Sequence, residues 1–235
     1  MKNFKKVVSV ITLALVMLVS VNVSAQFNEK LSNEHNEICI GVIKNSTIDG
    51  RNSFEKNQKI IIDYLQKTYN VKLNTLKKEV YNNPFNLLKA GKKEMSSELY
   101  NALEQLLNMT KGKKVNDAKL IINDISKNIE MLKLNKEDKN KFNDVISIYY
   151  GSLTFWFSDE VSEIMNKKGF DSPIKLNNTR ESVDYIINLK PSPDEYWKIA
   201  ACDGVGAVVG GVSGFGIGAV FGAVGASACS AINLW

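Results

Sequence analysis

The sequence is short of the residues around which most enzymes and metal proteins are built. Its 235 residues include one histidine, three cysteines and four prolines. A single histidine, His35, excludes an H-E-x-x-H zinc motif. Cys39, Cys202 and Cys229 include no C-x-x-C pair, and no Cys/His cluster has metal-ligand spacing, so neither a metal nor a cofactor is expected. "HNEIC" places His35 and Cys39 four apart, on one face if helical. A Cys–His nucleophile pair also needs an orienting group, and such spacing arises readily by chance. Phosphate-binding signatures are absent too. "GVGAVVGG" follows no expected strand and lacks the Lys-Ser/Thr ending of a P-loop. The carboxylates of "SDE" (158–160) and "KEDK" (136–139) read as helix surface and first-turn charge. The chain is therefore expected to be non-enzymatic, with no catalytic residues.

A large net charge is also missing. The chain carries +5, and its first residues account for part of that. Lys2, Lys5 and Lys6 precede the apolar run Val7–Val19, and Val23-Ser24-Ala25 forms a small-residue cleavage site. This pattern reads as a signal peptide over 1–25, cut after Ala25 to leave 210 residues at +2. Export to the cell envelope or medium is the expected localisation. Between Lys56 and Lys119, 13 lysines face 6 acidic residues, which suits either a solvated helical surface or anionic lipid headgroups. Nucleic acid is not an expected partner, since no basic–aromatic motif is present.

Scarce proline and regularly spaced apolar residues favour an all-α body over 26–190, a bundle of about five amphipathic helices. Phe54, Ile61, Leu65 and Tyr69 share one face behind an Asn52/Glu55 capping box. Leu99, Ala102, Leu103 and Leu106 mark a second helix that stops near Gly112, and Asn116 can cap a third through Ile121, Ile125 and Leu132. Asn135 caps the longest, running through Phe142, Tyr149 and Trp156 to Ile164 and a stop at Lys167–Gly169. Thr179 opens a fifth, ended by Pro191 and Pro193. "NEICIGVIKNSTIDG" is ambiguous between strand and helix. Residues 191–198 read as a proline-broken linker.

The last 32 residues hold nine of the fifteen glycines, and Gly204–Ile232 has no charged residue. Gly206, Gly210, Gly214, Gly218 and Gly222 recur every fourth position, and Ala226 extends the register. On a helix this is a stripe of small residues that lets a second helix approach closely. The segment 199–235 resembles glycine-zipper membrane segments and the Gly/Ala-rich peptides of class II bacteriocins. That resemblance implies helix self-association in a lipid bilayer and permeabilisation of target cells. In outline, a helical body with a hydrophobic C-terminal part also looks like pore-forming colicin domains, which hide a hydrophobic hairpin inside a bundle.

Two geometries stay open for the tail. One helix from Gly204 to Trp235 would be about 48 Å long, against a hydrocarbon core of about 30 Å. A hairpin turning near Ser213–Gly216 would suit burial in the body. A disulfide between Cys202 and Cys229 would require the hairpin, because those residues lie about 40 Å apart on a straight helix. Trp197 and Trp235 flank the segment as candidate interfacial anchors. Three functions follow: a membrane-associating, self-associating exported protein with toxin-like permeabilising activity; an envelope protein tethered by a C-terminal transmembrane helix; or a secreted helical binding module with the tail in its core.

Overall fold

The computed structural model describes residues 27–73, 75–170, 193–209 and 217–234. The signal segment, the helix expected at Thr179, Pro191, Gly210, Gly214 and Trp235 lie outside the described residues. Among the described residues the chain is all-helical, with no strand. Among the described residues eight α-helices form the body: α1 Glu29–Asn45, α2 Phe54–Tyr69, α3 Lys78–Tyr81, α4 Pro84–Ala90, α5 Ser97–Thr110, α6 Val115–Lys127, α7 Lys136–Phe155 and α8 Asp159–Lys167. The glycine-rich end supplies two more, α9 Pro193–Val209 and α10 Ile217–Leu234.

Side-chain caps define many of the starts. Asn28, Ser53, Asn83, Ser96, Asn135 and Ser158 each accept a hydrogen bond from a backbone N–H in the first turn that follows. Three expectations are corrected by these details. Ser53, not Asn52, caps α2, and the Asn52 side chain instead donates to Asn57. α6 begins at Val115 behind Lys114, so Asn116 lies inside the helix rather than at its cap. The long helix expected to reach Ile164 breaks at Trp156, because Ser158 caps a new helix whose first turn holds Asp159 and Glu160. The ambiguous N-terminal segment is helical from Asn36 to Asn45, within α1, and leaves the helix at Ser46.

Pro193 is the first residue of α9, a position where its missing N–H costs nothing. The linker expected over 191–198 therefore enters a helix at Pro193. Trp197 lies inside that helix and is buried, donating from its indole N–H to Thr110 Oγ1 at 3.2 Å. In this fold it is a core residue and not an interfacial anchor.

α9 and α10 pack against each other as an antiparallel hairpin, with Gly206 facing Ala226 and Asp203 level with Ser227. The body wraps them: α9 lies against α7 and α4, and α10 against α1 and α2. From Ile199 to Gly206 and from Ala219 to Ala231 every residue is buried. Of the two geometries open for the tail, the hairpin is the one found, and it is the centre of the core rather than an appendage. No helix among the described residues is long and apolar enough to cross a membrane, which corrects the expectation of a transmembrane helix. α9 and α10 have 17 and 18 residues, so each is about 26 Å long.

Candidate functional site: a polar clamp on the buried hairpin

The glycine register does its packing within the chain. A methyl group on Gly206 would collide with the Ala226 Cβ and lie 2.8 Å from the Gly222 carbonyl oxygen. Gly206, Gly222 and Ala226, all expected as helix-packing residues, therefore meet at the α9–α10 crossing. Gly218 lies in the first turn of α10. Among the described residues the stripe is divided between α9 and α10, and its parts press together.

Deep in the same crossing lies a cluster of polar side chains. His35 and Cys39 sit one turn apart on the inner face of α1, Trp156 closes the end of α7, Asp203 projects from α9 and Ser227 from α10. All five are fully buried. His35 Nε2 is 3.1 Å from Asp203 Oδ1 and 3.4 Å from Cys39 Sγ. The other ring nitrogen, Nδ1, donates to Asn36 Oδ1 at 3.0 Å. The Trp156 indole N–H donates to Asp203 Oδ2 at 2.7 Å. Cys39 Sγ is 3.5 Å from Ser227 Oγ.

Electrostatics bind this cluster together. Burial on its own lowers the His35 pKa, since a charged ring is costly out of water; the electrostatic interactions and hydrogen bonds with Cys39 and Asp203 outweigh it and raise the pKa well above the usual histidine range. His35 is accordingly a buried cation facing a buried carboxylate, with both ring N–H groups and both carboxylate oxygens engaged. Such a pair adds little net stability, but removing one partner is expensive. It acts as a clamp, joining α1, α7 and α9 at one point and reaching α10 through Ser227.

Two further ties hold the hairpin. The Tyr81 carbonyl accepts from Ser230 Oγ at 3.0 Å and lies 4.0 Å from Cys202 Sγ. Thr110 Oγ1 accepts from both Tyr149, at 2.9 Å, and Trp197. Cys202 and Cys229, the candidate disulfide, approach each other across the hairpin but are free thiols, as is Cys39. Burial pushes both Cys202 and Cys229 up to about 12. The disulfide expectation is corrected in that respect, although the folding-back it required is present.

The sequence reading missed Asp203 altogether. One signal points to it: it is the only charged residue from Ile199 to Trp235, and the chain has only one histidine to meet it. The third group that joins His35 and Cys39 lies 168 positions away from His35. Spacing along the chain shows no Cys/His cluster, yet in space His35 and Cys39 meet Asp203. As a nucleophilic centre the arrangement is handicapped, because the thiol is wholly buried.

No family model matches the chain, and no curated protein or solved structure matches it. The site must be judged on its own geometry.

Proposed function

We propose that the protein is an exported, non-enzymatic helical body that stores a membrane-directed, glycine-rich hairpin in its core, and that it acts on a lipid bilayer when the hairpin is released. One observation carries this reading. Among the described residues the most apolar part is a preformed helical pair that carries, from Ile199 onward, a single charged side chain, Asp203, and it is held in place by a few polar ties. Inside each helix the backbone groups bond to one another, which a bilayer demands and water does not. The close Gly206–Ala226 contact needs no water-driven force, so the pair can keep it in lipid. At about 26 Å each, the arms fall short of the hydrocarbon core, so the pair acts as a unit or in self-association with other copies, not as one span. The resemblance to glycine-zipper and bacteriocin segments and to pore-forming colicin domains supports the same reading.

Burial of the hairpin speaks against a simple tether. Removing it would strip the body of its centre, whereas a tether can be cut off without harm. It also favours a second reading, a secreted binding module in which the hairpin is permanent core. Dye release from anionic vesicles separates the two. The membrane reading expects release by the purified protein, faster when the clamp is weakened by Asp203→Asn. A protein that stays monomeric without detergent and leaves vesicles intact, in both wild type and D203N, would establish the binding module instead.

A further inference from the structure

We infer that His35, Cys39 and Asp203 form a binding site for a divalent transition metal of zinc type, which pins the hairpin to α1. The inference stands independently of the membrane reading. A ring nitrogen, a sulfur and a carboxylate oxygen converge here, all within 4.8 Å of one another and all fully buried. Zinc takes ligands of these three kinds, at about 2.0–2.3 Å. Tetrahedral geometry at those lengths puts a nitrogen and a sulfur about 3.5 Å apart, and a nitrogen and an oxygen about 3.3 Å apart. The observed separations from His35 Nε2 are 3.4 Å to Cys39 Sγ and 3.1 Å to Asp203 Oδ1. The third pair, Cys39 Sγ and Asp203 Oδ1, lies within 4.8 Å and would settle at about 3.5 Å around a seated ion.

The surroundings are those of an oriented ligand set. Metal-bound histidines usually donate their other ring N–H to an oxygen, which fixes the ring. Nδ1 of His35 does so to Asn36 Oδ1, leaving Nε2 to face the other two donors. Trp156 holds Asp203 Oδ2 and leaves Oδ1 directed inward, as a monodentate ligand requires. The Ser227 hydroxyl, 3.5 Å from Cys39 Sγ, is placed to support the sulfur or to approach a fourth position. Nε2 has two neighbours and can satisfy only one of them with its single proton; a cation satisfies both.

Charge also balances. A neutral imidazole, a thiolate and a carboxylate around a dication have net charge zero, so the filled site leaves no uncompensated charge in the buried volume. A closed site of this kind fills as the chain folds. Sequence spacing hid it, because two donors come from α1 and the third from α9.

Cobalt(II) tests this directly. Protein stripped of metal is refolded from denaturant, under reducing conditions, with one equivalent of Co²⁺. The expected result is a set of visible tetrahedral cobalt bands together with a thiolate-to-cobalt charge-transfer band, all displaced by Zn²⁺. Cys39→Ser should abolish the charge-transfer band, and both C39S and D203N should weaken binding by about 100-fold or more. Asn36→Ala should weaken it about tenfold, the usual effect of losing an orienting partner. Far-UV circular dichroism checks that each variant is folded. A folded wild-type protein with no charge-transfer band would overturn the inference, since that measurement needs no variant. So would cobalt spectra that are the same in wild type and C39S, which would place the ion on surface carboxylates.

Discussion

Gly206 of α9 lies so close to Ala226 of α10 that there is no room between them for a methyl group. The neighbour on the other side is backbone, the Gly222 carbonyl oxygen, which cannot swing aside. Gly206→Ala therefore sets two effects against each other. Alanine favours a helix over glycine by about 1 kcal/mol, while forcing a group into a tight core costs about 1–3 kcal/mol. The clash is against backbone, so the cost wins and G206A should lose about 1–2 kcal/mol net. Gly225→Ala is the control. There the added carbon meets the end of the Leu73 side chain at 2.8 Å, which can move, so the change should be near neutral. Urea denaturation followed by circular dichroism measures both, and equal stability of G206A and wild type would contradict the hairpin packing.

The Trp156–Asp203–His35 chain makes the second prediction. Asp203→Asn leaves a buried, positively charged ring without its counter-charge, which should cost about 3–5 kcal/mol. Trp156→Phe keeps most of the packing but removes the donor to Oδ2, and should cost about 1–3 kcal/mol. The double mutant His35→Gln/Asp203→Asn should be less damaged than the sum of its parts, because neither charge is then stranded. Additive losses in that cycle would show that the two side chains do not interact.

The sequence made the helical class and the apolar tail plain, and left the site hidden, for physical reasons that differ. Periodicity exposes amphipathic helices such as α2 and α5, because one face meets water. Caps were read correctly where Asn135 begins α7 and missed at Ser53, where Asn52 offered an equally good side chain one residue earlier. The break at Trp156 was invisible because apolar residues continue in register across it; only the Ser158 cap marks the new start. Glycine spacing identified a close-packing surface but could not say whether the second helix was another molecule or the same chain. Asp203 escaped notice because a buried ion pair has no local pattern: its partners come from α1 and from the end of α7, far away in sequence.

Alkaline pH should unfold the protein earlier than its net charge would suggest. Burial raises the folded-state pKa of Cys202 and Cys229 to about 12, and moves Tyr81 and Tyr149 upward as well, burial being the chief cause in each case. In the unfolded chain thiols titrate near 8.5 and tyrosines near 10. Each group's contribution is therefore complete below its unfolded value and is lost as pH rises above it, because only the unfolded state then gives up the proton. His35 works in the same direction from about 6.5 upward, since its folded value is also raised. The urea midpoint should fall steadily between about pH 8 and pH 11. Replacing Cys202 and Cys229 by alanine should flatten the upper part of that slope, and an unchanged slope would mean the two thiols are not buried.

The three cysteines offer a test of the whole core at once. Each is a free thiol, essentially without solvent exposure: Cys39 under α9 and α10, Cys202 and Cys229 across the hairpin from each other. Thiol reagents act on the thiolate, which needs both ionisation and access; access is suppressed at all three, and burial also holds back ionisation at Cys202 and Cys229. At neutral pH the folded protein should react at the rate of its unfolding, whatever the reagent concentration, and all three thiols should appear together in denaturant. If one thiol reacts quickly in the native state, the element that covers it opens locally. Fast Cys229 with slow Cys39 would point to α10 parting from α2 while α1 stays in place, the order of events that release of the hairpin would require. A yield of one thiol in denaturant instead of three would mean that Cys202 and Cys229, or another pair, had oxidised, and the loss of stability on reduction would then measure how firmly that bond closes the hairpin.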